Sequence, residues 1–172
     1  MTDFDRAFEL VVWVEGGSEY QSQEQAVARN DPGGETRFGI SRRQYPGENI
    51  RDLTLTRAKE IYKKDYWDKA KGDLIKWPMN LFLFDCAVNQ GIDAKANFAA
   101  IKLLQKTLRL PQDGILGHQT LKAAMEMNEE QAAMFMADRA LRYTGTRNFD
   151  TNGRGWFARL FKITMKGGTE RG

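Results

Sequence analysis

The stretch Met79 to Gln90, MNLFLFDCAVNQ, constrains the fold more than any other part of the chain. Leu81, Phe82, Leu83, Phe84, Cys86, Ala87 and Val88 cover nearly every side of a helix with 3.6 residues per turn. A helix that is apolar all round has to be buried, so this one is expected to be central, with the other elements wrapped around it. Trp77-Pro78 opens it, with proline suited to a first helical turn. Asp85 and Asn89 are its polar exceptions, and their spacing puts them on one face. Buried polar groups need partners, so the pair marks either an internal network or the wall of a cleft.

Around this helix the hydrophobic period predicts further helices. Phe4, Phe8, Val11 and Glu15 share one side of a helix over Asp3 to Glu15. Thr2 and Asp5 form a capping-box pattern at its start, and Gly16-Gly17 stops it. A second helix runs from Thr54 towards Gly72, with Leu55, Ala58, Ile61, Tyr62 and Tyr66 as its apolar side. Ala94 to Leu108 reads as one amphipathic helix carrying Phe98, Ile101, Leu104 and Leu108. A turn at Pro111 to Gly114 leads to a short helix over His118 to Met127, and Asn128 caps another that reaches Tyr143. A loop from Gly145 to Gly155 precedes a last helix carrying Trp156, Phe157, Leu160 and Phe161.

Ser18 to Asn49 is different: glycine-rich, polar and without a long apolar run. A loop of this length in a compact chain is functional or disordered. Tyr20, Phe38, Ile40 and Tyr45 argue for order, with a short hairpin around Glu35 to Ile40. The fold class is therefore all-α, with a long polar loop near the N-terminus.

Composition narrows the chemistry. One cysteine, Cys86, allows no intramolecular disulfide and no multi-cysteine metal site, and one histidine, His118, leaves zinc clusters and Ser/His/Asp triads almost nothing to work with. The work falls to carboxylates, hydroxyls and amides, with no metal or organic cofactor implied. The net charge of +3 and pI of about 9.0 come from interspersed signs, unlike the basic stripe of a nucleic-acid binder. A mild basic excess suits an anionic polymer such as a cell wall. Asp3, Asp5 and Glu9 break the apolar residues of the first helix, which does not read as a secretory signal. No apolar run is long enough for a membrane helix.

Glu15 is the most informative candidate. It continues an apolar stripe, and partial burial raises the pKa of a carboxyl group. A glutamate protonated near neutral pH is what a general acid for glycosidic cleavage requires. The glycines behind it would let a bulky sugar approach; alternatively, Glu15 is merely the last polar residue of a surface helix. Asp31 is a candidate second carboxylate and Thr36 a candidate to orient water, although Asp31-Pro32-Gly33-Gly34 also reads as an ordinary turn. Glu35 fits the structural reading better. Cys86 reads as a small core hydrophobe, because no histidine is placed to activate it. Trp13, Tyr66, Trp67, Trp77 and Trp156 could stack on sugar rings, but most are better explained as core.

Trp13-Val14-Glu15-Gly16-Gly17, followed by Asn30-Asp31-Pro32-Gly33-Gly34-Glu35-Thr36-Arg37-Phe38-Gly39-Ile40-Ser41, resembles the N-terminal signature of glycoside hydrolase family 108 muramidases. These are phage endolysins and related bacterial proteins that cleave the glycan strand of peptidoglycan. Phe84 to Gly91 resembles that family's central helix. Ala100 to Ala124, with Leu104-Gln105, Asp113-Gly114-Ile115-Leu116-Gly117 and Thr120-Leu121, is similar to its C-terminal peptidoglycan-binding part.

The resemblance implies that Glu15 is the catalytic glutamate. It implies a lysozyme-like catalytic part over 1–92 and a peptidoglycan-binding helical part over 93–172, packed as one unit. Phage lysozymes with a Glu, Asp and Thr triad imply roles for Asp31 and Thr36. The family commonly has tyrosine directly after the two glycines; here Ser18 and Glu19 precede Tyr20. Tyr20, Asp85 and Asn89 are the candidate substrate contacts.

The implied partner is the peptidoglycan glycan strand, with no nucleic acid, and the implied state is a monomer. The implied route is synthesis in a host cytoplasm without a signal peptide and action in the periplasm with help from a holin. The last helix interleaves apolar side chains with Arg159, Lys162 and Lys166, so it either contacts an anionic membrane weakly or docks on the core with its charges solvated.

Overall fold

The computed structural model describes residues 1–16, 29–31 and 34–168; for 15, 16, 29–31 and 34 it describes the backbone alone. Helix α1 spans Asp3–Gly16. Its capping box forms as the sequence implies: the Asp5 amide donates to the Thr2 hydroxyl at 3.1 Å, and the Thr2 amide donates to the Asp5 carboxylate at 2.8 Å. A three-stranded antiparallel sheet follows, with β1 (Arg29–Asp31), β2 (Gly34–Arg37) and β3 (Ile40–Ser41) in that order. The expected hairpin is thus extended by one strand. Phe38 and Gly39 turn β2 into β3 with φ of 51° and 74°, left-handed values that glycine adopts readily and Phe38 rarely.

Helix α2 (Leu55–Tyr62) starts at Thr54, whose hydroxyl accepts from the Arg57 amide. It continues as a wider π-turn through Lys63–Trp67. Helix α3 (Met79–Gln90) is buried from Met79 to Ala87. Pro78 stands just before it, in a cis peptide bond with Trp77, rather than in its first turn.

The amphipathic stretch after it is not one helix. A short 3-10 turn covers Ala94–Ala96, Asn97 and Phe98 turn left-handed, and α4 begins only at Ala99–Thr107. Asp93 caps the first piece through the Lys95 amide, and its carbonyl accepts from Phe98, closing the chain before α4 starts. Helices α5 (His118–Met125) and α6 (Glu129–Thr144) follow, with a full capping box between Asn128 and Gln131.

Helix α7 (Phe149–Gly168) starts earlier than glycine content implied, absorbing Gly153 and Gly155. A side chain at Gly153 would come within 2.6 Å of the Phe149 ring, and that ring packs edge-on against Phe157 at 5.6 Å. The glycine is there for ring packing, not to break the helix. Arg159, Leu160 and Ile163 are buried, so α7 docks on the core; Phe161 and Met165 stay exposed. Among the described residues no helix is long and apolar enough to cross a membrane.

Packing centres on α3, which contacts α1, α4, α6 and α7. Towards α1 and α2 the contact is aromatic: Phe4, Trp67, Tyr62 and Phe84 interlock with ring centroids 5.5 to 6.2 Å apart. Towards α6 and α7 it is ionic. Asp85 has no exposure; one oxygen accepts from Arg139 at 2.7 Å and the other from Arg159 at 2.7 Å. Burial alone would raise the Asp85 pKa, but the two guanidinium groups more than offset it and hold the carboxyl below its ordinary value.

Helix direction can be read from these contacts. Asp3 bonds Asn80 at the start of both α1 and α3. Gly167 lies against Leu81 and Phe82, whereas Arg159 reaches Asp85, so α7 runs antiparallel to α3. Arg6 stacks on Trp77, whose indole bonds the Gly167 carbonyl, and Trp13 sits under Lys162 and Lys166. Helix α1 is therefore parallel to α3, and both end at the same end of the bundle.

Asp85→Asn should cost about 3–5 kcal/mol, because it leaves two buried guanidinium groups without their counter-charge. Because the folded pKa is lowered, that contribution is complete above the ordinary carboxylate pKa of about 4 and is lost as pH falls through the folded value. Urea denaturation should show the wild type and Asp85→Asn well apart at pH 7 and converging in acid.

Candidate active site

The shared end of α1 and α3 holds two of the sequence candidates, Glu15 and Asn89. Glu15 lies in the last turn of α1. Asn89 and Gln90 form the last turn of α3, and Gly91 terminates it. Tyr143 of α6 donates its hydroxyl to Asn89 Oδ1 and stacks on Trp156 of α7, with ring centroids 5.1 Å apart. Four helices thus contribute to this end of the molecule.

A cleft of about 460 Å³ opens beside it, lined by Tyr45, Asp65, Tyr66, Asn89, Gln90, Lys95 and Ala96 among others. Tyr45 lies in the turn after β3, with its amide on the Ser41 carbonyl, so the turn leaving the sheet carries one wall and the end of α3 the other. The Tyr45 hydroxyl donates to Asp65 at 3.0 Å. Burial first, then Tyr66 and Asp65, hold this phenol well above the ordinary tyrosine value, so it is neutral at any physiological pH. Gln90 accepts from the Cys86 thiol through Oε1, while its Nε2 has no hydrogen-bond partner among the described residues. That amide is a donor at the cleft wall. Aromatic faces beside neutral donors and acceptors are what a carbohydrate, rich in hydroxyls and C–H faces, needs from a binding wall.

The other candidates are placed as follows. Positions 31 and 36 lie on one face of the β1–β2 hairpin, because Asp31 pairs with Gly34 and Thr36 with Arg29. Thr36 is half-buried. Glu35 occupies the opposite face, where Arg51 and Arg42 hold its carboxylate, in keeping with a structural role. The side chains of Glu15 and Asp31, and the whole of Tyr20, lie outside the described residues.

Of the Asp85–Asn89 pair, Asp85 belongs to the internal network, with both oxygens occupied by arginines, whereas Asn89 lies on the cleft wall. Two i,i+4 residues on one face can differ in this way because the face passes from bundle interior to bundle end within one turn. Trp67 is core, Trp13 lies under two lysines, and His118 is exposed at the first turn of α5. Tyr45, Gln90 and Tyr143 are not among the site residues that the sequence suggests. Only Gln90 had a usable signal, since it stands four residues after Cys86 at the end of an otherwise apolar helix.

Residues 8–91, from the middle of α1 to the glycine after α3, match the profile of the family described as glycosyl hydrolase 108. This segment belongs to glycosyl hydrolase family 108. The chain is accordingly a glycoside hydrolase, of the peptidoglycan-degrading kind. The hydrolase is also similar to a solved structure of SagA from Brucella abortus, with a TM-score of 0.77 and 28% identity over 98% of this chain and 96% of that one. No curated protein matches the chain. The family segment contains Glu15, the sheet and the end of α3, while the structural likeness also takes in α4 to α7.

Gly91 fixes the corner of the cleft. Its φ is 88°, and a Cβ there would stand 2.1 Å from that of Ala96. Gly91→Ala should therefore lower stability by roughly 2 kcal/mol or more, from backbone strain and the clash together, in a denaturant titration. Cys86 has no exposure, and burial pushes its thiol up to about 11. It should remain unreactive towards a thiol reagent such as Ellman's in the folded hydrolase and react fully once denatured.

Proposed function

We propose that this hydrolase is a muramidase of endolysin type, which cuts the β-1,4 bond between N-acetylmuramic acid and N-acetylglucosamine with Glu15 as general acid. The observation that carries the reading is positional. The glutamate of the Glu-Gly-Gly signature closes α1 at the same end of the bundle as Asn89, Gln90 and the cleft. A general acid for this bond needs a carboxyl that partial desolvation keeps protonated while it still reaches the substrate.

In this mechanism Glu15 gives its proton to the glycosidic oxygen as the bond to the anomeric carbon breaks. Asp31, across the hairpin, stabilises the positive charge that develops on the sugar. Thr36 shares its hairpin face and orients the water that adds to the anomeric carbon, the proton of that water passing to a carboxylate of the site. Asn89, Gln90 and Tyr20 contact the glycan. In a host cell the enzyme would reach the periplasm through a holin and lyse the wall.

Glu15→Gln preserves shape but removes the transferable proton. The variant should melt like the wild type and clear a suspension of purified Gram-negative peptidoglycan roughly 10²–10⁴ times more slowly. Mass spectrometry of the wild-type products should show ends that have gained water; 1,6-anhydro ends would make the enzyme a lytic transglycosylase. Equal clearing by wild type and variant would remove Glu15 from the role.

A further inference from the structure

A second cavity, of about 310 Å³, lies between α4 and α6, lined by Lys102, Leu103, Lys106, Asp138, Leu141 and Arg142 among others. Its charges are not balanced. Lys106 is neutralised by Asp138 at 2.7 Å, and the other oxygen of Asp138 accepts from the Thr107 hydroxyl at 2.8 Å. Among the described residues Lys102 reaches only the neutral amide oxygen of Asn97, at 2.7 Å. Among the described residues Arg142 has no ion-pair partner. Two cations without a counter-charge therefore border a groove whose apolar side is Leu103 and Leu141, the latter 63% exposed.

This groove adjoins the candidate active-site cleft. Ala96 lines both, at the turn between the end of α3 and the start of α4. A linear glycan would need one cleft only. Peptidoglycan is branched: each muramic acid carries a short peptide with free carboxylates and alanine methyl groups, leaving the strand sideways.

We infer that the α4–α6 groove binds the peptide stem of peptidoglycan, with Lys102 and Arg142 pairing to its carboxylates and Leu103 and Leu141 covering its methyl groups. Charge sign, apolar wall and adjacency to the cleft all fit this occupant. The inference rests on the peptidoglycan hydrolase reading and extends it: the substrate is recognised as glycan plus peptide, by two sites that meet at Ala96.

The test uses the full chain and two variants, Lys102→Glu/Arg142→Glu and Lys102→Gln/Arg142→Gln, whose exposed or half-exposed positions allow folding to be verified by thermal melting. N-acetyl-L-alanyl-D-glutamate is the soluble probe. In the wild type it should shift backbone NMR signals of residues 96–106 and 138–142 saturably, and added salt should weaken the effect. Both variants should lose these shifts. With polymers, the wild type should cleave stem-bearing peptidoglycan about fivefold faster than glycan stripped of its peptides by an amidase, a ratio in keeping with two exposed ion pairs.

The variants should cleave both polymers at the stripped-glycan rate. Absence of probe binding, binding elsewhere, or a preference that survives in the variants would overturn the assignment. If the wild type cleaved neither polymer while the probe still mapped to this groove, the hydrolase reading would fail and the peptide site would stand.

Discussion

One carboxylate in the middle of the central helix holds the second half of the chain to the first. Asp85 takes one arginine from α6 and one from α7, and all three side chains are almost completely withdrawn from water. A pair of apolar faces could have supplied comparable stability, and often more. What the ionic arrangement adds is position: each guanidinium must meet a particular oxygen, which fixes how α6 and α7 turn about α3. Tyr143, one helical turn beyond Arg139, and Trp156, just before Arg159, are thereby set beside Asn89. Asp85 thus determines the polar end of the bundle without facing it.

The direction of the helices does the rest. Parallel α1 and α3 finish together, so the last turn of each lies at one end of the molecule, where helix ends present backbone and polar side chains to solvent. The sheet and Tyr45 close the space on one side, and the glycine after α3 lets the chain turn back tightly enough for Ala96 to stand between cleft and groove. An apolar interior that ends in a polar cleft is a natural place for a carboxyl group that has to hold its proton and still reach a substrate.

In the second half, Gln105 organises the Asp113-to-Thr120 segment. This buried amide donates to Asp113, Thr120 and the Ile115 carbonyl, and accepts from the Gly114 amide. Through it, the motif of Leu104-Gln105 and Asp113-Gly114 is a structural clasp on the back of α4, the helix whose other residues, Lys102, Leu103 and Lys106, line the basic groove.

The sequence by itself determined the helices whose signals are local: the Thr2–Asp5 and Asn128–Gln131 caps, and the all-round apolar run that could only be central. It also carries the chemical class, through the resemblance of Glu15-Gly16-Gly17 and the Asp31-to-Ser41 stretch to glycosyl hydrolase family 108, whose profile matches residues 8–91. Where a glycine or a left-handed residue acts through a distant contact, local signals misled. Gly153 makes room for a ring inside a helix, and Asn97-Phe98 breaks what looked like one amphipathic helix. Only tertiary structure decided that Asp85 is internal and Asn89 faces the cleft, that Tyr45, Gln90 and Tyr143 join the site, and that an unbalanced basic groove abuts it. The placing of Asp85 and Asn89 depends on partners more than fifty residues away, Arg139, Arg159 and Tyr143, and periodicity reports which side of a helix is buried without saying what buries it.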